Sequence, residues 1–333
     1  MIPLPTAEIL RHFLCPACGA SRLAAGEGTI ECAECRRTYP VRQGVIDFVL
    51  YDRLGATEHG EIRAMTIPPD DTARACRLVE KDTWDRIQTH FLLRGIRVAA
   101  GFLAAYPPGR TVLATVGSGA GFELRMLGRF RPLTTVLASD ISWSAAALVP
   151  ESVSTAEGAL GLFDCDVNLC PLRRDARLIL FVFEALHHTD DVHATIDRLL
   201  ATTCDHLVFV EPTRNWLVSL LARFGLTMRV EYSGLKPDWV DLGRVRAIAR
   251  RRGFEMRAVT WWPFPDSLVP GFVKRSRLLS ALLCAAVDTI SALTAPFRFG
   301  AMSAVHLRRS DSGRTHLNCA PTTADCRIMR SES

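Results

Sequence analysis

Residues 111–121, TVLATVGSGAG, constrain the fold more than any other stretch of this 333-residue chain. Residues 111–116 predict a buried strand, and the glycine-rich run 117–121 predicts a tight turn into a helix. Because glycine lacks a Cβ, the turn lets a ligand lie against the backbone, near the free N–H groups that begin the helix. A second apolar strand at 135–139 ends in Asp140, a carboxylate suited to a ribose hydroxyl pair.

Apolar strands and helices alternate through the middle of the chain, which predicts an α/β fold with a parallel sheet and helices on both faces. We predict strands at 111–116, 135–139, 177–183, 206–211, 254–260 and 302–307, and helices at 81–106, 122–129, 142–148, 192–201, 241–252 and 278–293. Ligands bind such sheets at the carboxyl ends of the strands. Gly117, Asp140 and Glu184 all fall at those ends, so we expect them to share one site.

Four cysteines near the start of the chain form two C-x-x-C pairs separated by thirteen residues, namely Cys15, Cys18, Cys32 and Cys35. Two such turns can close a tetrahedron around Zn²⁺, and four thiolate ligands leave no open position, so we predict a structural metal site. The alternative is four unrelated buried thiols. This part of the chain resembles the small zinc ribbons that act as methyltransferase activators or extend methyltransferases at the N-terminus. The resemblance covers C-P-A-C-G, the second C-x-x-C and residues 39–46.

Residues 85–212 resemble class I S-adenosylmethionine-dependent methyltransferases. The resemblance is carried by the glycine turn, by Asp140, and by the segments 165–172, 183–191 and 207–212, in that family's order and spacing. It implies a Rossmann-like sheet and S-adenosyl-L-methionine as the methyl donor. The positions that match cofactor-binding positions of the family are Thr115, Gly117, Ser118, Gly119, Gly121, Asp140, Ile141, Asp166, Val167 and Phe183.

Two features qualify the resemblance. The family often has an acidic residue where this chain has Thr115, and a hydroxyl supplies no charge there. A nicotinamide-dependent Rossmann enzyme is the competing interpretation, but it requires G-x-G-x-x-G, and the sequence after Gly119 runs Ala-Gly-Phe-Glu.

Methyl transfer from a sulfonium needs a base only if the acceptor must lose a proton. The candidates are His188, His187 and Glu184, which follow a predicted strand in the segment that matches the family's fourth motif. The alternative is that one imidazole caps the next helix or packs beside the cofactor.

We divide the chain into a zinc ribbon (10–50), a linker (51–80), a cofactor-binding core (81–212), substrate-pocket or lid segments with the last strands (213–309) and a disordered tail (310–333). The aromatic run Trp261, Trp262 and Phe264 is a candidate lining for an apolar or lipid-like acceptor pocket, or else a brace on the sheet. We interpret 278–293 as a helix packed on the sheet or forming a lid, not a membrane span; contact of residues 272–295 with a membrane surface is the alternative.

The net charge of +5 comes with interspersed acids and no evident basic face, so nucleic acid is not a favoured partner. Eleven cysteines without a secretory signal pattern predict reduced thiols and a cytoplasmic location. The leading hypothesis is a methyltransferase for a small, apolar or lipid-like acceptor. The alternatives are an RNA methyltransferase and a non-catalytic cofactor-binding or activator module, for which Thr115 is the main support.

Overall fold

The computed structural model describes residues 2–3, 6–68, 71, 85–153, 158–224, 238–264 and 269–310. The predicted tail from residue 311 onward and residues 72–80 of the predicted linker lie outside the described residues.

The strands of the described residues pair into one sheet, in the order β11-β12-β10-β9-β6-β7-β8-β5-β4-β3-β2, with β1 beside β8. They are β1 Ile2–Pro3, β2 Leu23–Ala25, β3 Thr29–Cys32, β4 Thr38–Arg42, β5 Val45–Asp47, β6 Val112–Thr115, β7 Thr135–Asp140, β8 Ala159–Asp164, β9 Leu178–Phe183, β10 His206–Pro212, β11 Phe254–Trp261 and β12 Met302–Arg309. Strands β5 to β10 are parallel in their mutual pairings, and β12 runs antiparallel between β10 and β11. The strand order reverses direction at β6, the position where ligands bind in open α/β sheets.

Helices cover both faces of this sheet, as the sequence predicts. They are α1 Thr6–Leu10, α2 Ala56–Met65, α3 Arg86–Leu103, α4 Phe122–Leu127, α5 Trp143–Ala146, α6 Val149–Ser152, α7 Val192–Thr202, α8 Trp216–Arg223, α9 Leu242–Arg251, α10 Gly271–Arg275 and α11 Arg277–Thr294. The apolar side chains of α3 to α6 pack on one face, and those of α1, α7 and α9 pack on the other. The predicted α/β, Rossmann-like fold is therefore confirmed.

The central strands are apolar along their whole length because both faces are covered. In β9, Leu178, Leu180 and Val182 belong to the core on one face, whereas Ile179 and Phe181 belong to the core on the other. This period of two assigns consecutive residues to opposite hydrophobic cores.

The cysteine-bearing segment joins the main sheet. β5 pairs in parallel with β8, and β4, β3 and β2 continue outward as antiparallel strands. The Phe13 ring packs 5.1 Å from that of Phe48 and 4.8 Å from that of Phe163 on β8. The segment and the α/β core therefore share one apolar cluster.

Strand β8 has no counterpart among the strands predicted from the sequence. Gly161 lies in its centre and interrupts the apolar pattern. A Cβ at this glycine would lie 2.8 Å from the Leu137 side chain and 3.1 Å from that of Ile9. The glycine is needed for close packing on the strand, and its presence is what makes the segment look like a loop.

The range predicted as linker contains helix α2. Glu58 caps the first turn by accepting the Gly55 N–H at 3.0 Å, and the Ile67 N–H after the helix donates to Ser144 Oγ at 3.0 Å. These bonds hold α2 against the carboxyl ends of the central strands, where it forms one wall of the cavity described next.

Candidate active site

A cavity of about 640 Å³ opens at the carboxyl ends of β6, β7, β8 and β9. It brings together eight of the predicted cofactor-binding residues and all three catalytic candidates. The residues concerned are Gly117, Ser118, Gly119, Asp140, Ile141, Asp166, Val167, Phe183, Glu184, His187 and His188. Helix α2 adds Glu58, Glu61, Ala64 and Met65, which sequence analysis did not predict as site residues.

The glycine loop requires its glycines. Gly117, Gly119 and Gly121 have φ values of 67°, 50° and 80°, in the left-handed region that other residues seldom adopt. A Cβ at Gly117 would lie 2.4 Å from the Cβ of Ala185. The Ser118 N–H donates to Ser139 O at 2.9 Å and ties the loop to β7.

Asp140, the last residue of β7, holds the glycine loop in place. One carboxylate oxygen accepts the Gly119 N–H at 2.8 Å, and the other accepts the Ser142 N–H at 3.1 Å. Burial raises the pKa of this carboxyl, against these backbone donors, and the nearby Glu61 charge adds to the rise. A positively charged ligand beside this buried acid would favour its ionised form.

Asp166 closes the opposite side of the cavity, where β8 leads into a short 3₁₀ turn at Val167–Leu169. Its carboxylate accepts the Asn168 N–H at 2.8 Å and so caps the turn. Burial, together with the charge of Glu58, raises the pKa of Asp166. Asp140 and Asp166 therefore line one cavity from adjacent strands.

Glu211 organises the segment after β9. This side chain is fully buried at the end of β10, and one of its carboxylate oxygens accepts the N–H groups of Ala185 and Leu186 at 2.8 and 2.7 Å. Its other oxygen lies 2.6 Å from His187 Nδ1. Glu184, just before these residues, has a φ of 50°, a strained value for a residue with a side chain. Sequence analysis placed Glu211 at a strand end and assigned it no role; a carboxylate after four apolar residues is the signal that could have revealed it.

His188 contacts the wall contributed by α2. Its Nδ1 lies 3.2 Å from Glu61 Oε1, and its ring centroid lies 4.2 Å from that of His187. Each histidine of the pair therefore has its own carboxylate partner, Glu211 for His187 and Glu61 for His188.

Carboxyl groups dominate the charge of the cavity. Six line it, from Glu58, Glu61, Glu123, Asp140, Asp166 and Glu184, and within the described ranges no lysine or arginine does. The field in the cavity therefore favours a ligand with positive charge.

Two predicted cofactor-binding residues do not line the cavity. Thr115 is fully buried in β6, and its hydroxyl makes no hydrogen bond within the described part of the chain. Gly121 lies behind the loop, where an added Cβ would meet Val149 at 3.0 Å. The candidate acceptor-pocket aromatics lie elsewhere too: Trp261 is buried in the core, and Trp262 packs in the cluster beneath α11.

The four predicted metal ligands converge, with all four Sγ atoms within 4.8 Å of one another. The sulfur atoms of Cys15 and Cys35 are 3.6 Å apart, and those of Cys18 and Cys32 are 3.7 Å apart. A tetrahedral Zn²⁺ with Zn–S bonds of about 2.3 Å requires sulfur separations of about 3.8 Å. The residues present therefore fit a zinc ion.

The turns around the cysteines have matching geometry. The Gly19 N–H donates to Cys15 O at 2.7 Å, and the Arg36 N–H donates to Cys32 O at 2.9 Å. Gly19 and Arg36, each directly after the second cysteine of its pair, have φ values of 76° and 62°. This left-handed residue turns the chain so that both thiols of a pair face the same point.

Comparisons with known proteins identify no family for this chain. No protein-family model matches the chain, and no curated protein matches it. Among solved structures, magnesium protoporphyrin IX methyltransferase from Synechocystis with S-adenosylmethionine is similar at 12% identity and a TM-score of 0.47, covering 78% of this chain and 99% of that one. A chain of the Haloferax volcanii complex between the Trm112 methyltransferase activator and a putative methyltransferase is similar at 13% identity and a TM-score of 0.45, covering 72% and 96%.

A putative sarcosine dimethylglycine methyltransferase from Galdieria sulphuraria is similar at 16% identity and a TM-score of 0.43, covering 66% of this chain and 86% of that one. All three TM-scores lie below 0.5, so these likenesses carry no argument about activity. The fold assignment rests on strand order and direction.

Proposed function

We propose that this protein is an S-adenosylmethionine-dependent methyltransferase that acts on a small, apolar or lipid-like acceptor. The observation that carries the proposal is a cavity at the strand ends that combines a glycine loop with six carboxyl side chains and, among the described residues, no lysine or arginine. A sulfonium and an α-ammonium group suit that charge. The phosphates of a dinucleotide would instead face carboxylates, at a Coulombic cost.

The family resemblance assigns the parts of the cofactor to the parts of the cavity. Backbone at Gly117 and Gly119 would approach the methionine portion, Asp140 would accept hydrogen bonds from the ribose hydroxyls, and Asp166 would lie near the adenine. The buried positions of both acids support these assignments. Thr115 does not line the cavity. The threonine at the position where the family often has an acidic residue therefore takes no carboxylate away from the cavity wall.

When bound, S-adenosylmethionine would supply a methyl group on a sulfonium; the acceptor would bond to the methyl carbon in line as the carbon–sulfur bond breaks and S-adenosylhomocysteine leaves. This chain contributes positioning, exclusion of water and a base for acceptors that lose a proton. We propose His187 as that base. Its Nδ1 lies 2.6 Å from Glu211 Oε2, so a buried carboxylate holds this imidazole at the cavity wall. His188 is the second candidate.

A cavity of about 640 Å³ falls in the range of about 300–1,000 Å³ that small-ligand sites occupy. That volume supports a cofactor with a small acceptor. The apolar part of the wall, which includes Met65, Ile141 and Phe183, supports an apolar acceptor. A cavity lined by acids argues against an RNA backbone at this site.

We further propose that the ion held by the four cysteines is zinc in a structural role. All four ligands come from the protein, which leaves no coordination position for a substrate. The ribbon supplies β5 at one edge of the core strands, so the ion stabilises the strand that flanks β8.

Ligand titration by calorimetry tests the cofactor. S-adenosylmethionine and S-adenosylhomocysteine should bind, whereas NAD⁺ and ATP should not. Asp140→Asn should lower the affinity for both ligands that bind. Asp52→Asn should leave both affinities unchanged, because it alters an exposed carboxyl outside the cavity.

The pH dependence of binding adds a second test. Burial raises the pKa of Asp140 and of Asp166, and a nearby cation favours their ionised forms, so the preference for S-adenosylmethionine over S-adenosylhomocysteine should grow with rising pH. Failure of both ligands to bind at about millimolar concentration would favour the non-catalytic module. Labelled methyl recovered in RNA, and not in an apolar extract, would favour the RNA methyltransferase.

A further inference from the structure

An exposed apolar surface covers the outer side of α11 and the segments next to it. Leu278, Leu282 and Leu293 on α11 are 68%, 57% and 70% exposed. Phe272 on α10 and Phe297 after α11 are exposed to a similar extent. These five residues define the outer apolar surface.

Helix α11 is bonded to the rest of the protein through polar side chains that include those of Ser280, Asp288 and Ser291. Asp288 pairs with His90 and Arg94 of α3, with an oxygen 3.0 Å from His90 Nε2. Ser280 and Ser291 are buried; the Ser280 hydroxyl donates to Val273 O, and the Ser291 hydroxyl accepts the Trp262 N–H. A helix that only packs on a sheet buries its leucines and exposes its polar residues. Here the larger share of the leucine side chains faces outward, so the predicted role as a simple packing or lid helix does not account for this arrangement.

The charges around the outer apolar surface are basic. Arg275 and Arg277 are exposed where α11 begins, and Arg298 is exposed after it ends. Between residues 278 and 297 the single charged residue is Asp288, which is bound to α3. The surface therefore has an uncharged middle and two positive ends.

The aromatic residues of α8 extend this surface. The Trp216 ring packs edge-on against Phe299 at 5.6 Å, and Phe299 stacks on Phe297 at 5.7 Å. Trp216 is 62% exposed, and Phe224 at the other end of α8 is exposed as well. Large exposed apolar patches of this kind mark interaction sites.

We propose that the outer apolar surface docks this protein onto an anionic lipid bilayer, with α11 lying in the plane of the membrane. The leucines and phenylalanines would enter the acyl boundary, and the arginines at both ends would meet lipid phosphates. Arg277–Phe297 is long and apolar enough to cross a membrane, with a mean hydropathy of 1.8, but its inner side is bonded to α3 and to Trp262, the residue after β11. An in-plane position preserves those contacts.

A second copy of the chain fits this surface less well. Two antiparallel α11 helices would place Arg277 of one copy beside Arg298 of the other, and the outer apolar surface, as far as the structure describes it, offers no acid to pair with them. Phosphate groups at a bilayer surface match both positive ends.

Flotation of the purified full-length protein with lipid vesicles tests the proposal. The protein should float with phosphatidylcholine vesicles that contain phosphatidylglycerol, and much less with phosphatidylcholine alone. The double variant Leu282→Glu/Leu293→Glu should lower the bound fraction by about tenfold or more, since each leucine loses its apolar burial. Arg277→Gln/Arg298→Gln should reduce binding to anionic vesicles and its dependence on salt. Phe130→Glu, an exposed apolar position on another segment, is the matched control and should float like the unaltered protein.

Because the leucines are exposed, the variants should keep their melting temperature and their shift with S-adenosylhomocysteine. The lipid proposal fails if the unaltered protein stays in the aqueous fraction, or if the Leu282/Leu293 variant floats as well as the control. A concentration-dependent dimer that this variant abolishes, without flotation of the unaltered protein, would assign the surface to a second copy. None of these results depends on methyl transfer.

Discussion

Gly117→Ala should destabilise the protein and damage the cofactor site. The new Cβ would lie 2.4 Å from the Cβ of Ala185, about 1 Å inside ordinary van der Waals contact. Alanine at a φ of 67° costs about 1–2 kcal/mol, and overpacking of a dense site costs about 1–3 kcal/mol more. The free energy of unfolding should therefore fall by about 2–5 kcal/mol.

Gly119→Ala is the matched control in the same loop. Its φ is 50°, so it bears a similar conformational cost, but its Cβ would approach no atom more closely than Met65 Cε at 3.5 Å. The difference between the two variants isolates the contact with Ala185. Ala185→Gly in the Gly117→Ala background should recover much of that difference, because the next atom, Ala185 Cα, lies 3.8 Å away.

Urea denaturation of the unaltered protein, of Gly117→Ala, of Ala185→Gly and of the double variant gives the coupling free energy between residues 117 and 185. Gly119→Ala is measured beside them as the control, and calorimetry gives the affinity of each protein for S-adenosylhomocysteine. The reasoning is refuted if Gly117→Ala is no worse than Gly119→Ala, or if Ala185→Gly restores nothing. Unchanged affinity in Gly117→Ala would show that the ligand does not lie against this loop.

Three further predictions concern other parts of the chain. Burial and the neighbouring Asp47 raise the pKa of Asp164 to about 9 in the folded protein. Between the unfolded pKa of about 4 and pH 9 the folded state binds a proton that the unfolded state has lost, so the free energy of unfolding should fall with rising pH by up to about 1.4 kcal/mol per pH unit. Urea denaturation between these pH values should show a flatter slope for Asp164→Asn. Cys15→Ser should lose the bound metal, about one zinc per chain by elemental analysis, and lower the melting temperature; retention of full metal content would contradict the four-cysteine site. Glu211→Ala leaves two buried N–H groups without their acceptor, so the free energy of unfolding should fall by about 2–6 kcal/mol, and by less in Glu211→Gln. Equal losses for the two variants in urea denaturation would mean that this side chain does not organise the segment around His187.

Local signals in the sequence single out most of the cavity-lining residues because each signal consists of a few adjacent residues. A strand followed by glycines, and Asp140 after the next strand, are recognisable without tertiary information. The topology brings such strand ends together automatically, since parallel strands present their carboxyl ends at one edge. This explains why most predicted residues line one cavity.

The acids of α2 could not be found in the same way. Glu58 and Glu61 lie in a polar stretch whose helix has little amphipathic pattern, and the residues that follow it are rich in proline. Their importance arises from a long-range contact: Glu61 meets His188, 127 positions later in the chain. Sequence periodicity reports burial on one element and contains no information about which distant element covers a cavity.

The aromatic residues after β11 show a second limit of sequence patterns. Sequence analysis leaves open whether Trp262 and Phe264 line an acceptor pocket or brace the sheet, and both pack in the cluster beneath α11. It favours α11 as a helix packed on the sheet or forming a lid, with membrane contact as the alternative, and most leucines of α11 are exposed. A stripe of apolar residues identifies a helix face reliably, but it does not say whether protein or another apolar phase covers that face.

The cysteine segment also looked independent in sequence, as a metal-held unit before a linker, yet it completes the edge of the central sheet. An uncovered β8 would present a row of unpaired backbone groups and the buried Asp164 carboxyl to solvent. β5 covers that edge and contributes the Phe48 N–H, which donates to Asp164 at 3.1 Å. β8 in turn leads directly to Asp166 and the cavity. Loss of the metal should therefore disturb cofactor binding through this strand, although no cysteine of the site lines the cavity.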